Sequence, residues 1–287
     1  MAGNDYGWYP GHMTKSIRAI REELKLVDLC IEVLDARVPL SSRNPDIDEL
    51  AKDKYRLIVL NKSDLADDKK TALWIEYFKT LNIETLVLCA KEKKTSDAVR
   101  KASMSVCREK IERDKKRGIV GRPIRAMVCG IPNVGKSTLI NTITGRAPAK
   151  TGNKPGVTRS NQWVKTSAGI DLLDTPGLLW PKFEDKTVGL KLASIGSVND
   201  QVINLNQLAG EVVVMMKELY PGVIASRYDV SEDTSVSEII KGAGIRNGLM
   251  LKGGDVDMGR ASEAILGDFR SGKLGKITLE VPSQNEQ

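Results

Sequence analysis

The chain has 287 residues, 41% hydrophobic and 28% charged, with a formal net charge of +7. That is enough for one substantial α/β domain and a smaller companion whose cores need no staples, and it excludes a disordered or low-complexity chain. Cys30, Cys89, Cys107 and Cys129 are far apart in apolar or helical stretches, which excludes a disulfide framework or zinc pattern and fits buried thiols in a reducing compartment.

Ile17, Ile20 and Leu24 recur at helical spacing, with Val27 just beyond, so Thr14 to Lys25 predicts an amphipathic helix packed on a sheet. Short apolar runs at Leu29 to Leu34, Arg56 to Leu60, Thr85 to Leu88, Arg125 to Cys129 and Ile170 to Leu173 predict buried strands alternating with helices. The expected fold is therefore α/β, a doubly wound, mostly parallel sheet. Later helical patterns at Gln207 to Leu219, Val236 to Lys241 and Asp257 to Phe269 predict a small all-helical domain. The expected division is residues 1–185 for the α/β domain and 186–287 for the helical one. No apolar run approaches the roughly 18 residues of a membrane span, and the N-terminal residues lack a secretory pattern, so no membrane association and a cytoplasmic location are expected.

Three motifs fall at the ends of predicted strands, where such sheets bind ligands. After Leu57 to Leu60 come Asn61, Lys62, Ser63 and Asp64. The Asp64 carboxylate can accept two hydrogen bonds from a guanine edge and would be left unpaired against adenine. Asn61 would brace purine and loop, and the stem of Lys62 can lie along the flat base. The second motif runs from Gly130 through Asn133, Val134, Gly135, Lys136 and Ser137 to Thr138, between a strand and a helix. It is a phosphate loop: amides cradle phosphate, Lys136 bridges the outer phosphates and the Ser137 hydroxyl ligates Mg2+. In the third, Asp174, Thr175, Pro176 and Gly177, the carboxylate of Asp174 would hold Mg2+ through water and the Gly177 amide would sense the γ-phosphate. Together they predict binding of GTP or GDP with Mg2+. The tetrad precedes the phosphate loop, the reverse of the usual GTPase order, which predicts a circular permutation.

These residues resemble the circularly permuted ribosome-assembly GTPases of the YlqF/RbgA type, over nearly the whole chain. The likeness is carried by Trp8 to Met13, by Asp35, Ala36, Arg37, Val38 and Pro39, by the three nucleotide motifs, and by Thr151 to Thr158 and Leu179 to Asp185. It implies a GTPase that acts late in maturation of the large ribosomal subunit precursor, is stimulated by that particle, and applies its helical domain to rRNA; a monomer is expected, although the residues themselves leave the oligomeric state open. For His12, the chain's single histidine, it implies positioning of the attacking water; the alternative is a structural histidine. Leu178 stands where many GTPases carry a water-orienting glutamine and cannot do that work. Thr158 is the preferred first-switch ligand of Mg2+, with Thr151 also available. Asn133 either helps bind K+, as in related GTPases, or caps its loop. Cys89, Ala90 and Lys91 occupy the place of the second guanine-contacting loop, with the Ala90 amide able to serve.

Positive charge concentrates at Lys101 to Arg125, with 9 basic and 3 acidic residues, whereas residues 201–287 hold 9 basic and 12 acidic. The first stretch, with Lys150, Lys154, Arg159 and Lys165, is either a phosphate-binding face for rRNA or a solvated mixed-charge helix. The leading expectation is a GTP-driven switch. The competing one is an RNA-binding assembly factor in which GTP is mainly structural.

Overall fold

The computed structural model describes residues 21–145, 162–166, 169–175, 185–231 and 233–282. They divide into two compact units, one drawn from 8–182 with 280–287, the other mainly from 183–279. In chain order the first unit runs β1 (Leu29–Asp35), α1 (Asp46–Leu50), β2 (Tyr55–Asn61), α2 (Asp68–Thr80), β3 (Glu84–Val87) and α3 (Thr95–Val106). It continues with α4 (Arg108–Lys116), β4 (Ile124–Cys129), α5 (Lys136–Thr144), β5 (Gln162–Lys165) and β6 (Ile170–Asp174).

The six strands form one sheet in the order β3-β2-β1-β4-β6-β5, parallel except for the antiparallel edge strand β5. All seven residues of β1 are buried, as expected of a central strand covered on both faces. On one face Leu24, Val27, Ile47 and Ala51 pack against Cys30, Met127, Cys129 and Leu173. Trp74 and Phe78 of α2 pack with Leu34, Ile58, Leu60 and Ile83 in a second cluster. Because β4 and β2 flank β1, the two stretches that follow them, residues 130–137 and 61–64, emerge on either side of one strand end.

All five strand expectations match to within about two residues, and the doubly wound, mostly parallel fold is confirmed. Strand β5 was not anticipated, because its four residues show only Val164 buried and present no apolar run. Of the expected N-terminal helix, only its end is described: residues 21–24 are helical and Leu24 and Val27 are buried. Residues 8–13, Ile17 and Ile20 lie outside the described residues.

The second unit holds α6 (Lys186–Ser194), α7 (Leu205–Leu219), α8 (Val223–Tyr228), α9 (Val236–Arg246) and α10 (Met258–Ser271). The sequence signals behind these starts are side-chain caps: Asp185, Asn204, Ser235 and Asp257 each accept from a backbone amide one turn on. Ser235 and Glu238 complete a reciprocal capping box. Leu208, Val212, Met216, Ile239, Ile265 and Phe269 supply its core. Gly244 is required by close packing, since a Cβ there would sit 2.2 Å from Val256 Cγ1. The helix α6, the short α8 and the last turns of α9 were not foreseen. No helix among the described residues is long and apolar enough to cross a membrane.

The α2 cluster backs the strand that delivers residues 61–64. Phe78 is fully buried, so Phe78→Ala should lower unfolding free energy by about 3–5 kcal/mol, read as an earlier denaturant midpoint with unchanged slope.

Candidate functional site

Asn61 is the last residue of β2 and is buried. Its side-chain amide donates from Nδ2 to Val134 O at 2.7 Å, and its Oδ1 accepts from the Ala90 amide at 2.8 Å. One residue thus ties the tetrad, the phosphate loop and the loop after β3. A Cβ on Gly135 would lie 2.3 Å from Asn61 Nδ2, and Gly135 has φ 99°, so glycine is needed there for approach and for backbone. Gly130 has the same double requirement: φ is 141°, and an added Cβ would lie 2.4 Å from Val33 O. Asn133 also adopts a left-handed backbone, φ 63°, a region that asparagine enters more readily than most residues.

The loop after β3 is fixed from two sides. Thr142 of α5 donates to Ala90 O at 2.6 Å and Thr95 of α3 donates to Cys89 O at 2.8 Å. Both threonines were invisible as site residues in sequence, because neither belongs to a motif. Burial pushes the Cys89 thiol pKa up, and a hydrogen bond with Asp64 adds to the rise. Asp64 itself is exposed. The Ala90 amide, assigned to guanine from sequence, is engaged with Asn61 in this structure.

Lys62 has φ 60°, and its ammonium lies 2.9 Å from Asp35 Oδ2. Lys91 is exposed but close enough to lower the Lys62 pKa slightly, behind the larger effect of burial.

Lys136 and Ser137 open α5. The Lys136 ammonium donates to Gly130 O and Ile131 O, both at 2.9 Å, across its own loop. Burial depresses its pKa to about 8, against the opposing pull of Asp174. Asp174 is 3% exposed at the end of β6, and its Oδ1 has no hydrogen-bond partner among the described residues. Burial raises its pKa while Lys136 lowers it. A buried carboxylate oxygen left unsatisfied calls for an ion or water, and a carboxylate with the hydroxyl of half-buried Ser137 is the oxygen donor chemistry that Mg2+ takes. Thr175 beside it is occupied, donating to Val128 O at 2.8 Å. Val134 is buried and Thr138 half-buried. His12, Thr151, Thr158, Pro176, Gly177, Leu178 and the strings through Glu184 lie outside the described residues, as do Lys150, Lys154 and Arg159.

The pattern of the 50S ribosome-binding GTPase family matches residues 125–234. Ribosome biogenesis GTPase A of Bacillus cereus is 45% identical over 278 residues, covering 96% of this chain and 94% of the relative. A GDP-bound structure of TM YlqF is 27% identical, covers 92% of this chain and 99% of that chain, and superposes with a TM-score of 0.68. GNP-bound YlqF from T. maritima gives 27% identity, 94% and 99% coverage, and a TM-score of 0.67.

Between about pH 8 and its ordinary 10.5, Lys136 binds fewer protons in the folded than in the unfolded chain, so the stability of nucleotide-free protein gains with rising pH across that window. Melting temperatures of wild type and Lys136→Met compared from pH 7.5 to 10 should show that gain only in the wild type.

Proposed function

We propose a function from one premise, that the chain belongs to the ribosome biogenesis GTPase A family: it is a GTPase that acts in assembly of the large ribosomal subunit as a GTP-driven switch. The observation that carries the reading is the Asn61 bridge, which joins guanine-reading and phosphate-binding loops that lie far apart in sequence.

In this reading Asp64 accepts from the guanine edge, the stem of Lys62 lies along the base, and Asn61 holds the pocket walls together. The amides of 133–138 cradle the phosphates at the start of α5. Lys136 exchanges its two loop carbonyls for phosphate oxygens, which raises its pKa and keeps it charged. Ser137 and Asp174 would hold Mg2+, joined by Thr158, and the ion when bound neutralises charge on the outer phosphates. Gly177 senses the γ-phosphate. Leu178 offers no group to orient water, so His12 takes that role when the particle brings it to the phosphates. Slow turnover of the isolated protein and strong stimulation by the particle follow. The left-handed backbone of Asn133 is enough to account for asparagine there, and a K+ bound to its side chain is the reading that a comparison of K+ with Na+ decides.

The division of labour keeps residues 1–185 for the nucleotide and 186–287 for the ribosome. An rRNA contact of the GTPase unit fits residues 113–125, where Arg113, Lys115, Lys116, Arg117, Arg122 and Arg125 are exposed against the single acidic Asp114. Arg125 also lies 5.6 Å over the ring of Trp163. Phosphate neutralisation by such a face gives affinity that falls steeply with salt.

GTP hydrolysis measured with and without purified large subunits, at two salt concentrations, tests the reading. Stimulation of at least about tenfold that weakens at high salt is expected, and no stimulation at either salt refutes it. His12→Ala should lose that stimulation while binding GDP normally. Full assembly activity in a Lys136→Ala protein that no longer binds GTP would favour the RNA-binding factor instead.

A further inference from the structure

We propose that Asp35, backed by Arg37, is a positioning residue of the guanine pocket: its carboxylate anchors the Lys62 ammonium so that the lysine stem stands as a fixed wall along the purine. The inference rests on the reading of Lys62 as a base contact.

Asp35 is the last residue of β1, fully buried, and in register with Asn61 at the end of β2. The Ala36 amide donates to Asn61 O at 2.9 Å, so the two strand ends are locked together. Both carboxylate oxygens are committed. Arg37 donates from its amide and Nε to Oδ1, at 3.1 and 2.9 Å, and from Nη2 to Oδ2 at 2.8 Å. Oδ2 also faces the Lys62 ammonium at 2.9 Å. The Asp35 amide in turn donates to Ser42 Oγ at 3.1 Å. Held this way, the carboxylate cannot follow a moving lysine; the lysine must come to it.

Arg37 is 1% exposed. Burial lowers the Lys62 pKa, Arg37 and Lys91 push the same way, and Asp35 is the group that opposes them. A buried ion pair adds little net stability over apolar packing, so its place at the foot of the base-contacting lysine is better explained by what it does to that lysine. A long side chain ordered before the ligand arrives does not lose its rotamer freedom on binding. The consequence is slower release of the guanine nucleotide, with no effect on phosphate contacts.

The test compares full-length wild type, Asp35→Asn, Arg37→Met and Lys62→Ala, using stopped-flow release of a fluorescent GDP, displacement by inorganic pyrophosphate, and melting temperature. Asp35→Asn should release GDP about tenfold faster with pyrophosphate affinity unchanged. Arg37→Met, which keeps the Asp35–Lys62 pair but loosens its support, should give about a threefold effect and serves if Asp35→Asn does not fold. If Lys62→Ala speeds release while the folded Asp35 or Arg37 variants do not, positioning is overturned and the base contact stands. Should Lys62→Ala leave release unchanged, the base contact itself fails and the inference with it. A parallel loss of GDP and pyrophosphate binding would mark Asp35 as a general structural residue and also overturn the proposal.

Discussion

A single buried side-chain amide holds the nucleotide site together. Asn61 spends its donor on Val134 and its acceptor on Ala90, so three loops at the ends of three different elements share one covalent group. Left unpaired at 2% exposure, either end of that amide would be costly. The phosphate loop must therefore come close, and Gly135 is what lets it do so. Gly130 meets the neighbouring strand under the same constraint, with Val33 O where a side chain would begin.

This geometry explains why a permuted chain can build an ordinary site. Parallel strands deliver their carboxyl ends to one edge of the sheet, whatever order the chain visits them in. Here β1 lies between β2 and β4, and the contacts between their following loops are made through space. Permutation changes what is covalently adjacent. Residues after Asp174 lead in sequence to the helical unit, and Glu280 and its neighbours are grouped again with the sheet-containing unit. There the Glu280 carboxylate accepts from the Ser41 amide and hydroxyl, and its carbonyl accepts from Trp74 Nε1. The loop that carries Asp35 and Arg37 at one end thus receives the C-terminal segment at the other.

The site also concentrates electrostatic cost. Lys136 is buried and donates to two backbone carbonyls, and among the described residues Asp174 keeps a buried oxygen without a partner. Both groups are displaced from their ordinary pKa values mainly by burial. An anion with a divalent cation would relieve both at once. The apolar clusters beneath β1, β2 and β4 carry that cost, as expected where a fold positions groups for ligand binding rather than for its own stability.

The sequence by itself determined the strands, because four of the five apolar runs lie wholly within the observed elements and burial on both faces leaves little room for polar residues. It also determined the phosphate loop and tetrad, since their glycines, lysine and carboxylate have few alternatives chemically. It did not reveal β5, whose edge position requires no apolar run, or α6 and α8, which are short and weakly patterned. Only the tertiary structure decided that Asn61 bridges two loops, that Thr95 and Thr142 pin the loop after β3, and that Asp35 holds Lys62. Those contacts join residues whose sequence separation varies from 6 to 73, and the pairing of one polar side chain with a distant partner leaves no periodicity for a sequence to display.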